Sequence, residues 1–379
     1  MKIIIAPDSF KGCLRSHEVC NLLEDGLKVA LPEVRIIKVP LADGGEGTVE
    51  AVVFSTGGRF EELEVHDPLG RCINAKYGIA GNSSTAVIEM ASASGIELLK
   101  PEELNPWETT TYGTGELIKA ALAKGCRDII IGIGGSATND GGAGMAQALG
   151  YRLLDANGKL LADGCSGGKL AVVANIDATQ VIPELRKCRI RAACDVTNPL
   201  CGANGASAIY GPQKGATLEM AKKLDANLAH FAEILQRAGL CADYMQPGDG
   251  AAGGLGFGLR TLCAAEMVSG ANLLIELTGL KEKLCGADLL ITGEGCTDAQ
   301  TANGKLCAVI AATAGAAGVP AILFSGALKG DLQQLEGLFA GMFSISSGPG
   351  VLSEAIAAAS KNLYRAGHNL GKLLAAIRR

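Results

Sequence analysis

A glycine-rich turn directly after an apolar run can gather an anion, because backbone N–H groups freed of bulky side chains point together. Ile129-Ile130-Ile131-Gly132-Ile133 is such a run, followed by Gly134-Gly135-Ser136-Ala137-Thr138-Asn139-Asp140-Gly141-Gly142 and then a helical stretch at Met145–Leu149. The Gly132-x-Gly134-x-x-Ala137 subset also imitates a dinucleotide fingerprint, with Asp155 standing about 20 residues on, where a ribose-binding carboxylate is expected. Asn139-Asp140-Gly141-Gly142 are poor helix formers, however, and lengthen the loop beyond a Rossmann turn. That favours a phosphate over a dinucleotide. Asp140 beside such a loop is a candidate metal ligand, a group that hydride transfer does not need.

Carboxylates recur at the ends of other apolar runs, in Asp8-Ser9-Phe10-Lys11, Asp43-Gly44-Gly45-Glu46-Gly47-Thr48, Cys194-Asp195-Val196-Thr197-Asn198 and Thr292-Gly293-Glu294-Gly295. Open α/β sheets bind ligands at the carboxyl ends of their strands. Four such loops exceed what caps and turns require. Lys11, Lys214 and Lys305 each adjoin a glycine, where an ammonium can reach a phosphate or carboxylate. Gly211-Pro212-Gln213-Lys214-Gly215 and Gly248-Asp249-Gly250-Ala251-Ala252-Gly253-Gly254 are further loops suited to close backbone approach. The chain lacks G-x-x-x-x-G-K-[ST] and the protein-kinase H-R-D and D-F-G signatures. The residues themselves therefore point to a small-molecule enzyme that binds a nucleotide or a phosphorylated ligand.

The elements that must position these loops follow from periodicity. Lys2–Ala6 reads as a buried strand, Ser16–Leu31 as a helix with Ser16 at its N-cap, Val34–Val39 as a strand and 48–54 as a helix. The other end repeats the pattern, with strands at Asp288–Thr292, Ala321–Ser325 and Met342–Ser346, each followed by an Ala-rich helical stretch. One parallel sheet assembled from both ends of the chain is expected. An antiparallel pair around Leu63–Ile79 and strands at Ala86–Met90, Asp128–Gly132 and Arg189–Cys194 form a second α/β domain inserted in the first. The expected borders are 1–60 with 285–379, and 61–284.

Composition narrows the function classes. The chain has 379 residues, 48% of them hydrophobic, enough for more than one core. Its formal net charge is −5 and it has no basic run to follow a phosphate backbone, so nucleic acid is not an expected partner. The apolar stretch at the start is too short for a signal-peptide core, and none elsewhere reaches the ~20 residues of a membrane helix, so a cytoplasmic protein with no membrane partner is expected. The 13 cysteines show no C-x-x-C pair and the four histidines are scattered, which argues for free thiols in a reducing compartment.

Taken in order, the motifs resemble the bacterial glycerate kinase family that includes the glycerate 2-kinases. The chain carries A-P-D-S-F-K-G at 6–12, A-D-G-G-E-G-T at 42–48, I-E-M-A-S-A-S-G at 88–95, T-T-x-G-T-G-E-L-I at 110–118 and I-G-G-S-A-T-N-D-G-G-A-G-M at 133–145. A-C-D-V-T-N-P-L at 193–200, G-P-Q-K-G-A at 211–216 and I-T-G-E-G at 291–295 complete the series. The resemblance implies transfer of the ATP γ-phosphate to D-glycerate with Mg²⁺, on a discontinuous flavodoxin-like domain with a second α/β domain inserted in it. The resemblance to the 2-kinase subgroup suggests 2-phospho-D-glycerate as product, with 3-phospho-D-glycerate left open. Neither the hydroxyl attacked nor the oligomeric state is legible in the residues. One departure stands out: the family's G-E-G-R-[IVL]-D-x-Q-[TS] is here Gly293-Glu294-Gly295-Cys296-Thr297-Asp298-Ala299-Gln300-Thr301, with cysteine for arginine.

On that resemblance the loops acquire roles. Asp195 is expected to act as base, with Lys11 on the phosphates and Asn198 orienting glycerate. Gly134, Gly135, Ser136, Asn139, Asp140, Gly293 and Glu294 are expected around the nucleotide. Asp8, Ser9, Asp43, Glu46, Lys214 and Lys305 are expected around the substrate, and Asp43 and Asp298 on the metal. Two other readings stand beside this one: a nicotinamide-dependent oxidoreductase of a hydroxy acid, and a sensor that kept the glycerate and ATP site but lost turnover through the changes at 296–308.

Overall fold

A computed structural model describes residues 1–42, 45–302, 304–348 and 350–377. Its strands in chain order are β1 Lys2–Ile5, β2 Arg35–Lys38, β3 Arg59–His66, β4 Cys72–Ile79, β5 Thr85–Glu89, β6 Asp128–Gly132 and β7 Arg152–Leu154. They continue with β8 Asn175–Asp177, β9 Arg189–Ala193, β10 Glu266–Val268, β11 Leu289–Thr297, β12 Ala321–Leu328 and β13 Gly341–Ser344. The architecture is mixed α/β, and the parallel strands are short, apolar and rich in isoleucine, as strands buried on both faces must be. No helix among the described residues is long and apolar enough to cross a membrane.

The chain divides into two compact units, Met1–Asp43 with Glu50–Gly57 and Gly270–Arg379, and Gly44–Val49 with Gly58–Ser269. The helices Gly270–Leu277 and Leu280–Leu284 belong to the first unit, where Gly270–Leu277 packs against the helix Leu306–Ala316.

In the first unit the sheet order is β13-β12-β11-β1-β2, with every pairing parallel. Counted in chain order within the unit this is 2-1-3-4-5, the order of flavodoxin-like doubly wound sheets. Ile3, Ile4 and Ile5 are fully buried on the interior strand β1, and Ile3 and Ile5 meet Leu23, Leu27, Ile291 and Leu363 in the core. The helix Ser16–Ala30 starts after Arg15, whose N–H bonds the Glu18 carboxylate at 2.7 Å, so the N-cap lies one residue before the expected Ser16. β11 was expected to end at Thr292 but runs on through Thr297, pairing with Phe324–Leu328 of β12. Glycines usually interrupt strands; here they let two backbones close up, because a Cβ on Gly293 would lie 2.5 Å from the Phe324 oxygen.

The second unit holds a six-stranded sheet, β10-β9-β6-β5-β4-β3, antiparallel from β3 to β5 and parallel from β5 to β10, and a small β7-β8 ribbon. Its core gathers Ile88, Ile129, Ile131, Met145, Phe231 and Phe257. The helices Leu218–Arg237 and Ala251–Leu262 pack on this core through residues that include Phe231 and Phe257.

Within the first unit, the helices Ser16–Ala30 and Leu352–Ile377 touch through glycines: a Cβ on Gly26 would overlap the Tyr364 carbonyl oxygen and approach the His368 nitrogen at 2.7 Å. Gly26→Ala gains about 1 kcal/mol of helix propensity and loses more to overpacking, which costs about 1–3 kcal/mol and here meets unyielding backbone. A lowered denaturant midpoint is therefore expected. A midpoint that rises would mean the two helices part at no cost.

Candidate active site

Three side-by-side strands of the second unit end in register. Glu89 of β5 pairs with Gly132 of β6, which pairs with Ala193 of β9. Neighbouring strands lie ~4.8 Å apart, so the loops leaving this row start close together. Gly134 and Asp195 each stand two residues beyond the partnered Gly132 and Ala193. Glu89 is a member of this row to which the sequence assigned no role; its Oε1 accepts the Val49 N–H at 2.8 Å.

The turn after β6 is tied down on its carbonyl side. The Gly135 oxygen accepts the Ile96 N–H at 2.8 Å, the Ala137 oxygen accepts the Thr109 hydroxyl at 2.9 Å, and the Thr138 oxygen accepts Lys214 Nζ at 2.7 Å. Gly134 and Gly135 are exposed, and among the described residues no group accepts their N–H. Gly135 has φ +73°, a conformation that would cost an L side chain roughly 1–2 kcal/mol. A Cβ on Gly134 would stand 3.3 Å from the Gly45 Cα, so the approach to the turn is narrow.

Beneath the turn, Asn139 and Asp140 are fully buried. Asp140 Oδ2 accepts the Thr111 N–H at 2.7 Å, the Thr111 hydroxyl at 2.8 Å and the Gly144 N–H at 3.3 Å, while Oδ1 accepts the Gly142 N–H at 3.1 Å. Burial pushes this carboxyl up from the usual range, and these donors pull it back. Asn139 Nδ2 donates to the Ser207 hydroxyl at 2.9 Å. Lys214 is 1% exposed and also donates to the Ser136 hydroxyl at 2.7 Å. Burial lowers its ammonium to about 7, against the pull of Asp140. The loop Gly248–Gly254 closes the same region: Gly253 accepts the Gly141 N–H at 3.1 Å, and a Cβ on Gly253 would overlap the Thr138 oxygen.

Asp195 is exposed, as is Glu46. Asn198 is held at both ends of its amide, accepting from the Tyr210 hydroxyl at 2.7 Å and donating to the Asn204 oxygen at 2.9 Å. Asp155 caps a turn after β7, accepting the N–H groups of Asn157 at 2.8 Å and Lys159 at 2.9 Å.

The remaining candidates belong to the first unit, at the β1/β11 point where the strand order reverses. Asp8 is buried; its N–H donates to the Gly293 oxygen at 2.8 Å and its Oδ1 accepts the Ser9 N–H at 2.6 Å. Lys11 is exposed, and a Cβ on Gly295 would lie 3.4 Å from its backbone nitrogen. Glu294 accepts the hydroxyls of Thr297 at 2.8 Å and Thr301 at 3.0 Å. Burial pushes its carboxyl up, opposed by those hydroxyls and by Lys305. Asp298 and Lys305 stand 3.6 Å apart, with side chains 40% and 44% exposed. Cys296 is half-buried opposite Ala327. Asp43 lies outside the described residues, and among those described no group of three acidic, histidine or cysteine side chains could hold a metal.

The lowered Lys214 ammonium has a sign that can be checked. Between about pH 7 and 10 the unfolded chain holds this proton and the folded chain does not, so stability from this residue rises with pH across that window. Below it both states are charged and the burial penalty is complete. Relative to Lys214→Met, the wild type should gain up to about 1.4 kcal/mol per pH unit in urea denaturation. A flat difference would show that the folded lysine keeps its proton.

The glycerate kinase family matches residues 3–375. The chain is 47% identical over 378 residues to the glycerate 2-kinase of Escherichia coli (strain K12), covering 99% of this chain and 98% of that one. It is 46% identical over 379 residues to the glycerate kinase of Haemophilus influenzae, covering 99% of both. A crystal structure provisionally assigned as glycerate kinase 2 from Salmonella typhimurium LT2 superposes with a TM-score of 0.90 at 45% identity, over 100% of this chain and 99% of that one. With a match running from β1 into the last helix and a shared fold at this level of identity, the chain belongs to the glycerate kinase family, a family of enzymes.

Proposed function

We propose that the chain transfers the γ-phosphate of ATP to D-glycerate and yields 2-phospho-D-glycerate. The observation that carries this reading is the Gly134-Gly135 turn, whose N–H groups lie open beside Asp195 on the next strand end. The name of the Escherichia coli relative supports the 2-hydroxyl as acceptor.

Phosphoryl transfer depends on positioning and charge neutralisation more than on covalent help. In the second unit the Gly134, Gly135 and Ser136 amides hold phosphate oxygens. Asp195 takes the proton of the attacking hydroxyl as the glycerate oxygen bonds to phosphorus and the bond to ADP breaks. Asn198, its amide locked by Tyr210 and Asn204, shapes the loop that carries Asp195. In the first unit, Lys11 and Lys305 supply cationic contacts for phosphate or carboxylate oxygens. Mg²⁺ binds through one or two carboxylates together with substrate phosphates, and Asp298, partly exposed and with Oδ1 engaged by the Gln300 N–H at 2.9 Å, fits such a ligand. When bound, Mg²⁺ neutralises phosphate charge. The described cysteines are free thiols, which suits a cytoplasmic setting.

ADP release should require ATP, D-glycerate and Mg²⁺ together and stop on adding EDTA, and phosphorus NMR of the product distinguishes the 2- from the 3-phosphate. Turnover with another acid or sugar but not with D-glycerate would overturn the substrate. Asp195→Asn should lower kcat by about 10²–10⁴-fold with ATP affinity little changed. A stable variant of full activity removes Asp195 from the reaction.

A further inference from the structure

Lys214 combines three features that a surface lysine does not. Its side chain is among the largest fully buried ones in the chain. Its Nζ bonds Ser136 Oγ and the Thr138 carbonyl at 2.7 Å each, bracketing Ala137 from below. Its own backbone is fixed: the Lys214 N–H donates to the Gly211 oxygen at 3.0 Å, Pro212 opens the short turn, and Gly215 closes it at φ +92° where a Cβ would overlap the Leu104 oxygen. A long flexible side chain has thus been anchored at its base and engaged at its tip. Burying an amino group is costly unless its donors are satisfied, and here Ser136 and Thr138 accept from it.

We propose that Lys214 is a positioning residue of the phosphate-binding turn, its terminal amino group donating to Ser136 and Thr138 together so that the Gly134 and Gly135 amides stay fixed at the surface. This rests on the reading of that turn as the nucleotide phosphate site. A buried tip already spent on two acceptors holds the turn that meets the ligand, in place of the direct glycerate contact expected for this lysine. Preorganised donors bind an anion without first being ordered, so the effect belongs to nucleotide affinity more than to glycerate.

The test compares wild type with Lys214→Met, Lys214→Arg and Ser136→Ala. Lys214→Met keeps length and removes a buried polar group, so it is expected to fold. ADP binding by calorimetry should weaken about 10-fold or more in Lys214→Met, with KM for D-glycerate changed less than about 3-fold. Lys214→Arg should not rescue it, since the side chain is 1% exposed and a planar guanidinium is larger and differently shaped from the amino group it would replace. Ser136→Ala combined with Lys214→Met should be no weaker than Lys214→Met alone, because the Ser136 hydroxyl acts through its contact with Lys214, which Lys214→Met has already removed. Hydrogen exchange gives a readout independent of any ligand: the Ala137 N–H, held by the Ser94 oxygen at 3.0 Å, and the Ile96 N–H should exchange faster in Lys214→Met while amides of β6 do not. Unchanged ADP affinity and unchanged exchange in a variant altered only in melting temperature would overturn the proposal and leave the kinase reading standing. A variant impaired in glycerate KM alone would overturn it in favour of direct substrate contact. Failure of the wild type to bind ADP at all would overturn the kinase reading and this inference with it.

Discussion

The first unit depends on one pairing, that of β1 with β11. Ile3, Ile4 and Ile5 lie beside Leu289, Leu290 and Ile291, and the ladder continues past the strand as Ala6 N–H bonds Ile291 and Asp8 N–H bonds Gly293. Both faces of these strands are buried, so a one-residue slip would move every side chain to the packing layer on the opposite face of the sheet. Because the register cannot slip, the loops that follow cannot either. Asp8 and the Gly293–Thr297 extension are set by the same ladder that forms the core.

The second unit reaches the same end by a different route. Its strand ends are level, and what they carry is held by buried polar contacts: Asp140 saturated by backbone and hydroxyl donors, Lys214 on Ser136 and Thr138, and Arg260 gripping the fully buried Asp249 with two bonds of 2.7 Å. Buried charges contribute little net stability, yet removing one partner leaves the other exposed to the full desolvation penalty. Such contacts select one loop conformation rather than strengthen the fold. The turn is held through its Gly135, Ala137 and Thr138 carbonyls while its Gly134 and Gly135 amides are left to present, which is the condition an anion site needs.

Much of this was legible in the residues. Apolar runs bounded by glycine and carboxylate located β1, β6 and the strand-end loops, because hydrophobic periodicity and turn chemistry are local. What was not legible is burial within a motif. Gly134 and Asp140 sit in one unbroken glycine-rich stretch, yet one faces solvent and the other the interior, a difference set by Thr111 and Gly144 from other parts of the loop system. Lys214 reads as an ammonium beside a glycine placed to reach the substrate, and it is buried by segments that the sequence does not mark as neighbours. β11 reads as ending at a glycine because the partner that accommodates Gly293 lies on β12. Glu89 was visible only as part of a motif, since its place in the row comes from strand register.

The division of the chain has a consequence for its birth on the ribosome. Residues 58–269 are contiguous and can pack as soon as they emerge, whereas β1 must await β11, whose first partner Leu289 follows Ile3 by more than the whole of that segment. At synthesis rates of ~5–20 residues per second that interval is roughly 15–60 s. During it an isoleucine-rich strand with unpaired edges is exposed, and a strand of that kind is a template for association with other chains. The early helix Ser16–Ala30 and the charged edge strand β2, flanked by Arg35 and Lys38, are the shields available to it until the rest arrives.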